Sequence, residues 1–338
     1  MNKPLVSVIS PCYNGEAYLG RYLESLLNQT YDNIEFVFVN DGSKDKTEEI
    51  FNSYKERLEE KFTRLIYEYQ ENKGVAEAIN TALKYVSGEY ITWPDSDDIL
   101  YKNCIEKKVE FFIKNPECHG VITKGNRVLE SDVEKVVGQL SIPHNLPYEN
   151  LFERLTFVKD IYFAPAGYML RTDSLFSVLK NRTIYNSPAG QGWQMLLPFA
   201  YKYKFGFIDE PMFSYVVRES SHSRKEKEYE ENIKKAYIHK DCINNTIKSI
   251  DMPEKEKEDL YFRIEIEHIR KRMDIAIKFS KKDDAKKYFE QLKEKDALCK
   301  LDIIHYRSFK SRLCKLYYKL NYTIKSKLKR ILKNVFNK

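Results

Sequence analysis

Three carboxylates within four residues, Asp95, Asp97 and Asp98, are the strongest chemical signal in the sequence. Like charges this close repel one another, so a fold that gathers them needs a compensating positive charge. Mg²⁺ or Mn²⁺ supplies that charge, accepts carboxylate oxygens as ligands and keeps coordination sites open for phosphate oxygens. We therefore expect Asp97 and Asp95 to bind Mn²⁺ or Mg²⁺. The alternative is a solvated acidic turn that caps a helix near Ile99.

A second polar run, residues 40–45, follows an apolar segment and ends in turn-forming residues. The Asp41 carboxylate could accept the N–H of a uracil-like base or the hydroxyls of a ribose. Gly42 lets the main chain turn closely beside a ligand. Tyr13, in an earlier loop, could stack beside the base. The alternative is a plain turn in which Asp45 caps the following helix.

The elements around these loops alternate between two hydrophobic periods. Apolar runs of strand length are separated by segments whose apolar residues recur at helical spacing. This order predicts a parallel sheet covered by helices, and such sheets bind ligands beyond the carboxyl ends of their strands. Both polar loops lie at those ends. The predicted strands are residues 5–9, 34–39, 65–69 and 90–93, and the predicted helices begin near residues 18, 45 and 75.

Together these motifs resemble family 2 glycosyltransferases, a large inverting group with a GT-A fold. The resemblance is specific over residues 4–100 and continues weakly to about residue 224. It implies an α/β fold with a GT-A-type, mostly parallel sheet flanked by helices, followed by a C-terminal helical extension. The matching stretches are residues 6–14, 38–45, 72–74 with Asn80, and 88–98.

The resemblance also implies which side chains hold the donor. In that family, the first loop and the aspartate after the second strand bind the nucleotide, and an Asp-x-Asp motif binds ribose and metal. Asp97 is the stronger candidate for direct metal contact, and Asp95 for ribose or metal. The residues expected to bind the nucleotide sugar are Pro11, Tyr13, Asn14, Glu16, Asp41, Lys73, Asn80, Asp95 and Ser96.

The sequence departs from the family pattern where the general base is expected. The family usually has a Glu-Asp pair at the start of a helix in the acceptor region, and here Gln191 and Gly192 occupy those positions. Neither residue can take a proton from an acceptor hydroxyl, so the catalytic base stays unknown. Trp193 and Gln194 are placed in the acceptor region. The Trp193 ring either stacks on a sugar face or packs as an ordinary helical aromatic.

A basic position follows the next strand-like segment, residues 212–217. In the family, a histidine or a cation at this position faces the metal or the diphosphate. Arg218 fits that spacing and could stabilise the leaving diphosphate. His222 lies close by as a further candidate metal ligand. The alternative is that both are exposed loop residues.

The positive charge is concentrated at the C-terminus. The formal net charge is +7, but residues 310–338 hold ten Lys or Arg and no Asp or Glu, which leaves −3 for the rest. A slightly acidic body argues against a nucleic-acid partner. The tail also carries an apolar stripe at helical spacing, which favours peripheral contact with an anionic membrane surface. The alternative is a helix that packs on the protein.

The remaining predictions concern the domain boundaries and the cellular location. We expect a GT-A nucleotide-sugar-binding and transferase domain over residues 1–223, and a helical C-terminal region over residues 224–338 that ends in the basic tail. Six scattered cysteines without zinc spacing indicate a reducing compartment. No signal-peptide pattern or long apolar run is present in the sequence. The expected location is therefore the cytoplasm, at the inner face of the cell membrane.

The predicted activity is inverting transfer of a sugar from a nucleoside-diphosphate sugar, with a UDP-sugar favoured, to a glycan or lipid-linked acceptor. The resemblance places this reaction in bacterial surface-polysaccharide synthesis. A non-catalytic sugar-nucleotide-binding protein is the alternative, because the usual acidic pair is missing. A nucleotidyltransferase ranks last, because residues 11–15 lack the Gly-rich loop with Arg and Lys that such enzymes carry.

Overall fold

In the computed structural model of the protein, residues 3–142, 151–218 and 228–310 are described. The strands are β1 Val6–Cys12, β2 Ile34–Asp41, β3 Arg64–Gln70, β4 Tyr90–Thr92, β5 Ile99–Leu100, β6 Gly120–Leu129, β7 Asp132–Leu140, β8 Tyr168–Arg171 and β9 Phe205–Val217. The helices are α1 Leu19–Leu27, α2 Thr47–Lys61, α3 Val75–Leu83, α4 Cys104–Lys114, α5 Leu151–Phe157, α6 Thr172–Val178, α7 Gly192–Lys202, α8 Tyr229–Ser249, α9 Glu254–Lys278, α10 Lys282–Glu294 and α11 Lys300–Lys310.

The described strands form one sheet in the order β3-β2-β1-β4-β8-β6-β9-β5, and β7 pairs with β6. The first four strands in the chain are parallel. Val6 of β1 pairs with Ile34 of β2, and Val8 of β1 pairs with Thr92 of β4. Their connections run through α1, α2 and α3, as the alternating periods predict. The expected α/β class with a helix-flanked sheet and C-terminal helices is confirmed.

The second half of the sheet is mixed. β8 is antiparallel to both β4 and β6, whereas β6 and β9 run parallel. The strand-like segment of residues 212–217 is the end of a longer strand, because β9 begins at Phe205. β5 forms directly after the acidic residues and pairs antiparallel with β9, so no helix begins near Ile99. This pairing brings the acidic loop beside the end of β9.

The core under the first three strands is aromatic. Every residue of β1 and β2 is buried, which explains their uninterrupted apolar runs. The rings of Phe38 and Phe51 stack with centroids 4.5 Å apart, and Tyr67 lies 4.9 Å from Phe51. Aromatic pairs at this spacing add to the free energy gained from area burial. The packing of α2 on β2 and β3 fixes the strand ends that carry the polar loops.

A buried carboxylate ties the opposite, amino-terminal edge of the sheet together. Glu35 is fully buried and accepts hydrogen bonds from the hydroxyls of Ser7 and Ser87 and from the main-chain N–H groups of Ser87 and Gly88. Burial alone would raise the pKa of Glu35, but these hydrogen bonds lower it overall. Glu35 therefore stabilises the sheet as a satisfied, ionised group.

The chain divides into two compact units. Unit 1 comprises Met1–Glu226 with Asp241–Lys257, and unit 2 comprises Lys227–Lys240 with Glu258–Lys338. Unit 2 has its own apolar core, formed by residues such as Ile269, Met273 and Leu292 on α9 and α10. The predicted domain boundary at residue 223 lies outside the described residues and stays a prediction. The same holds for the tail, residues 311–338.

None of the described helices combines the length and the apolar character that crossing a bilayer requires.

Candidate active site

The carboxyl ends of β1, β2 and β4 meet at one edge of the sheet. The register pairs Cys12 with Asn40 at the ends of β1 and β2, and β4 runs parallel on the other side of β1. Three loops therefore leave the sheet side by side: residues 13–18, 42–46 and 93–98. This is the edge at which parallel sheets bind ligands.

The first two loops are locked together by reciprocal hydrogen bonds. The Asn14 main-chain N–H donates to the Ser43 hydroxyl at 3.0 Å, and the Asn14 side-chain oxygen accepts the Lys44 N–H at 2.9 Å. The Glu16 N–H donates to the Asp45 carboxylate at 2.9 Å. Asn14 adopts a left-handed conformation with φ of 51°, which asparagine tolerates better than most residues. The loops thus form one preorganised wall.

Asp45 lies one residue before Lys46, which is the N-cap of α2, and bonds to both the helix start and the neighbouring loop. Its carboxylate accepts the main-chain N–H of Thr47, the first residue of α2, at 3.0 Å, and also the Glu16 N–H described above. Burial raises the pKa of Asp45, but the hydrogen bonds from Thr47 and Glu16 outweigh it and lower the pKa overall. One side chain therefore starts the helix and fixes the neighbouring loop.

Asp41 is almost fully buried at the end of β2, with 3% of its surface exposed. Its carboxylate accepts the Gln70 amide at 2.7 Å and the N–H groups of Lys73 and Gly74 at 3.0 Å each. Gly42, with φ of 73°, makes the turn that lets this loop approach residues 70–74. A carboxylate has about four acceptor sites, so Asp41 retains room for one more donor.

The third loop is held by a polar face of α1. Arg21, Ser25 and Gln29 are spaced by four residues, so they lie on one face of the helix and its C-terminal end. All three bond to the main chain that carries the acidic residues into β5 and α4. The bonds are Arg21 to the Asp97 carbonyl at 3.3 Å, the Leu100 N–H to Ser25 at 3.1 Å, and Gln29 to the Tyr101 carbonyl at 2.9 Å.

Arg218 reaches the Asp-x-Asp motif from the end of β9. Its guanidinium donates to the Asp97 carboxylate at 2.6 Å and lies 4.3 Å above the Tyr18 ring. Both members of the ion pair are about three-quarters shielded from solvent. The Arg218 Nε is buried without a hydrogen-bond partner among the described residues. The sequence-predicted cation and the sequence-predicted metal ligand are thus in direct contact.

Gln191 lies at the same loop. Its amide Nε2 donates to the Asp95 carboxylate at 3.1 Å. Burial and the neighbouring Asp97 carboxylate raise the pKa of Asp95 above its ordinary value, against the hydrogen bond from Gln191 and the charge of Arg218. The position where the family places an acidic residue therefore faces the Asp-x-Asp motif, but with an amide donor.

Asp98 is the most buried of the three carboxylates, with no exposed surface. Burial, followed by repulsion from Asp97 and Asp95, raises the pKa of Asp98 well above its ordinary value. One carboxylate oxygen accepts the Val216 N–H at 3.4 Å, and the other has no partner among the described residues. The pairing of β5 with β9 explains why this side chain is enclosed.

The acceptor-region residues are less exposed than a sugar-binding surface requires. Trp193 is 8% exposed, its Nε1 donates to the Leu155 carbonyl at 3.0 Å, and its ring lies 5.1 Å from Phe163. Gln194 is buried beneath the same turn and donates to the Gly190 carbonyl. In this structure Trp193 packs as a helical aromatic, which is the second of the two alternatives.

The remaining predicted donor residues divide into three groups. Asn80 is buried and both ends of its amide bond to the Ile184 main chain, at 3.1 and 2.8 Å, so it tethers that segment. Ser96 is buried beside the Cys12 thiol. Pro11 is buried at the end of β1, whereas the Tyr13 ring is 48% exposed beside the loops. His222 lies outside the described residues.

Sequence reasoning missed two contributors to the site. Arg21 and Asp98 both sit against the Asp-x-Asp loop, yet neither was given a role. A signal for Arg21 was present, because Arg21, Ser25 and Gln29 recur at four-residue spacing beside the apolar stripe of α1. No comparable signal distinguishes Asp98 from its neighbours, since only the β5–β9 pairing encloses it.

The donor set suits a hard divalent cation that shares its ligands with a substrate. Asp95 and Asp97 offer carboxylate oxygens, which Mg²⁺ and Mn²⁺ prefer, and Asp98 has an unpartnered oxygen nearby. No group of three or more His, Cys, Asp or Glu forms a complete cation cage in the described part of the chain. One or two carboxylates with phosphate oxygens completing the coordination are the usual arrangement for such ions.

A parallel sheet edge that combines an Asp-x-Asp loop, an opposing arginine and two interlocked polar loops defines the nucleotide-sugar transferase class. Comparison with known proteins agrees with this class. The chain matches glycosyl transferase family 2 over residues 7–176, half of its length. The protein therefore belongs to glycosyl transferase family 2.

Individual relatives support the assignment. The chain is 45% identical over 111 residues, a third of both chains, to an uncharacterized glycosyltransferase of Rickettsia typhi. It is 32% identical over 224 residues to the minor teichoic acid biosynthesis protein GgaB of Bacillus subtilis, which covers 64% of this chain and 23% of GgaB. The chain thus spans about a third or less of these two relatives.

A solved structure shows the same fold. The crystal structure of S. aureus TarS residues 1–349 in complex with UDP-GlcNAc superposes with a TM-score of 0.59 at 20% identity. The match covers 90% of each chain. The GT-A-type fold predicted from the sequence motifs is confirmed by this likeness.

Proposed function

We propose that the protein is an inverting glycosyltransferase that moves a sugar from a nucleoside-diphosphate sugar to an acceptor hydroxyl. The observation that carries this proposal is the ion pair between Arg218 and Asp97 at the carboxyl edge of the sheet. It joins a cation from the end of β9 to the Asp-x-Asp loop, next to the two loops expected to hold the nucleotide. These are the groups that departure of a diphosphate requires.

The nucleotide lies across the ends of β1 and β2 in this proposal. Tyr13 is exposed there for stacking, and the Asp41 carboxylate keeps one acceptor site for a base N–H. A UDP-sugar is favoured, and the UDP-GlcNAc complex of TarS is consistent with that preference. Because Asp41 also holds residues 70–74, its loss would disturb the pocket as well as one contact.

Asp97 and Asp95 would hold Mn²⁺ or Mg²⁺ together with the diphosphate. The cation supplies positive charge where the leaving group becomes negative. The acceptor oxygen attacks the anomeric carbon from the face opposite the diphosphate, and the bond between that carbon and the β-phosphate oxygen breaks. Arg218, which contacts Asp97 directly, is positioned to donate hydrogen bonds to the departing oxygens.

The acceptor proton has no assigned destination in this site. Gln191 faces Asp95 as an amide, and an amide does not take a proton. This observation favours a second candidate function, a non-catalytic sugar-nucleotide-binding protein. The two candidates differ in one measurable respect, since only the first releases nucleotide from the sugar donor.

The acceptor is proposed from the family relationship and the sequence. A glycan or lipid-linked acceptor in bacterial surface-polysaccharide synthesis agrees with the relationship to GgaB, a minor teichoic acid biosynthesis protein. The basic tail would hold the protein peripherally at the inner face of the cell membrane, in the cytoplasm. That tail, residues 311–338, lies outside the described residues.

Nucleotide release from UDP- and GDP-sugars with Mn²⁺ tests the proposal. We expect the wild-type protein to release nucleotide, and Asp97→Asn to reduce release about 100-fold or more, because the divalent cation that would neutralise the leaving diphosphate loses a carboxylate ligand. Asp283→Asn, an exposed aspartate on α10, is the matched control and should behave as wild type. Binding by calorimetry without release from any donor, in the presence of candidate acceptors, would support the non-catalytic alternative.

A further inference from the structure

Unit 2 contains a basic cluster that the proposed sugar transfer does not use. Lys235 and His239 lie four residues apart on α8, and His268, Lys271 and Arg272 lie on one face of α9. The Lys271 ammonium is 3.3 Å from the His239 ring nitrogen Nδ1. Lys235 is an electrostatic neighbour of both groups. Two helices of the same unit therefore bring their cations together.

Arg272 belongs to this basic cluster through His268, which has both Lys271 and Arg272 as electrostatic neighbours. Its side chain is 3% exposed, and its guanidinium lies 4.5 Å from the Tyr237 ring and 5.5 Å from the Tyr288 ring. One nitrogen donates to Glu265 at 3.2 Å. The Nε and the other terminal nitrogen are buried with no hydrogen-bond partner among the described residues. A buried guanidinium in a purely structural role normally has its donors satisfied.

Charge in the cluster is unbalanced. Lys240 and Arg272 share one carboxylate, Glu265. Lys235 and Lys271 form no ion pair with any carboxylate in the ranges that the structure describes. Among the described residues, Lys235, Lys240, Lys271 and Arg272 therefore have one carboxylate ion-pair partner between them, and repulsion between neighbouring cations is an energetic cost that a bound anion would offset.

The histidines add hydrogen-bonding capacity rather than charge. Burial, followed by the nearby Lys271 and Lys235, lowers the pKa of His239 to about 3. Burial, followed by Lys271 and Arg272, lowers the pKa of His268 to about 4. The Nδ1 of His268 is buried without a hydrogen-bond partner among the described residues. Both rings are therefore neutral near pH 7.

The chemistry of the cluster selects a particular anion. A phosphate monoester carries up to two negative charges and three terminal oxygens, so it can accept hydrogen bonds from more donors at once than a single carboxylate can. Lys271 is exposed and the Tyr237 ring that covers Arg272 is 46% exposed, so the ligand has an approach from solvent. Tyr237 is the side chain that must move to open the Arg272 donors.

We propose that the basic cluster of Lys235, His239, Lys271 and Arg272 in unit 2 is a binding site for a phosphoryl group. The group is either free phosphate or the headgroup of a phosphomonoester lipid, which share this chemistry. The site is independent of the proposed transfer reaction, because every residue in it belongs to unit 2.

The first arm of the test measures binding of inorganic phosphate to the full-length protein by calorimetry and ³¹P NMR. We expect saturable binding that weakens at least about tenfold in Lys235→Gln/Lys271→Gln, because two charge-assisted contacts are lost. Arg272→Met should weaken binding as strongly, but it changes a buried residue. The lysine variant therefore keeps the test decisive if Arg272→Met fails to fold, as judged by circular dichroism.

The second arm measures sedimentation with vesicles of phosphatidylcholine alone or with phosphatidic acid. Lys286→Gln/Lys287→Gln removes the same charge from exposed positions of α10 and is the matched control. Selective loss of vesicle binding in the cluster variant, without free-phosphate binding, supports the lipid headgroup; loss of phosphate binding alone supports free phosphate. The proposal fails if neither probe binds, or if cluster and control variants change binding equally.

Discussion

The acidic loop of unit 1, residues 95–98, and the basic cluster of unit 2 both hold side chains of like charge close together, but the two charges are opposite in sign. Residues 95–98 hold three carboxylates, of which Asp97 pairs with Arg218. In the basic cluster, Glu265 pairs with Arg272 and with the adjacent Lys240, whereas Lys235 and Lys271 have no carboxylate ion-pair partner among the described residues. Within the part of the chain that the structure describes, each region holds buried polar atoms without a hydrogen-bond partner: one carboxylate oxygen of Asp98 in the acidic loop, and two nitrogens of Arg272 in the basic cluster. Uncompensated charge of this kind is costly, so each region has the electrostatics of a binding site for the opposite charge.

Glu35 shows what a buried charge looks like when it is structural. It is as buried as Asp98, yet hydroxyl and main-chain donors surround its carboxylate and lower its pKa. Asp98 accepts one long hydrogen bond, and burial with two acidic neighbours raises its pKa. Glu35 and Asp98 differ in the number of hydrogen bonds that their carboxylates accept, not in how deeply they are buried. Depth alone therefore does not identify a functional charge in this protein.

The largest effect is expected for Glu35, the buried carboxylate whose hydrogen-bonding sites are occupied. Glu35→Ala should destabilise unit 1 by about 3 kcal/mol or more, because it leaves several buried donors unpaired. Both tryptophans of the chain, Trp93 and Trp193, lie in unit 1, so fluorescence during urea unfolding reports on that unit. Glu60→Ala, an exposed position on α2, is the control. If Glu35→Ala lowers the free energy of unfolding by less than about 0.5 kcal/mol, as ordinary surface changes do, Glu35 is not the structural charge that the contrast with Asp98 assumes.

Among the changes at the Asp-x-Asp loop, Arg218→Met should have the largest effect on activity. We expect kcat for nucleotide release to fall about 100- to 1,000-fold, since a charged donor to the leaving group is removed. The fold should be retained, because Arg218 is only partly buried at the end of β9. The exposed Arg182 provides the control as Arg182→Met. If kcat is unchanged, Arg218 serves only to neutralise Asp97.

Gln191→Ala should have a smaller effect on the same site. The hydrogen bond to Asp95 is a single amide contact to an ionisable group, so we expect a change of about tenfold in kcat/KM. Gln191→Glu places a second carboxylate beside Asp95 and should make metal affinity higher or turnover faster if the family position is still competent. Equal kinetics for wild type and both variants would show that this position has no part in donor binding or transfer.

The smallest and most gradual effect is expected from pH in unit 2. The folded pKa values of His239 and His268 lie below the ordinary value of 6.5, so the unfolded state binds protons first as pH falls. Stability is therefore complete above about pH 6.5 and declines as pH falls toward 4. The neighbouring charges are Lys235, Lys240, Lys271 and Arg272, all of which disfavour protonation of the histidines.

Hydrogen exchange in residues 229–240 of α8 and residues 258–278 of α9, which belong to unit 2, measures this decline separately from unit 1. We expect faster exchange at pH 5 than at pH 7 in the wild type after correction for intrinsic rates. His239→Gln/His268→Gln should flatten the difference, because it removes the groups that titrate. A pH dependence that persists unchanged in this variant would place its origin elsewhere in the unit.

Much of unit 1 could be predicted because its signals are local. Buried parallel strands require continuous apolar runs, so β1 and β2 are visible in the sequence, and the polar loops necessarily follow them. The resemblance to family 2 glycosyltransferases also implied a cation at Arg218, after the strand-like segment of residues 212–217. Its partner was not, since Asp97 and Arg218 are 121 residues apart in the chain.

The less predictable parts depend on long-range packing. Trp193 and Asn80 carry residue types that suit sugar binding, but both donate to main-chain carbonyls in the interior of unit 1. The basic cluster of unit 2 has no compact motif, because its members are spread over α8 and α9 among many other lysines. Lys271 and Arg272 differ from the solvated lysines of these helices only because their side chains contact residues of α8, which the sequence does not show.

The sequence by itself determined the class of fold, the succession of strands and helices along the first hundred residues, and the loops at the carboxyl ends of those strands. These follow from hydrophobic period and turn chemistry, which act over a few residues. The tertiary structure alone decided which charges are satisfied. Asp98 became enclosed when β5 paired with β9, and Arg272 when two tyrosines covered it. Electrostatic free energy depends on distance and burial in space, and neither is encoded in local spacing.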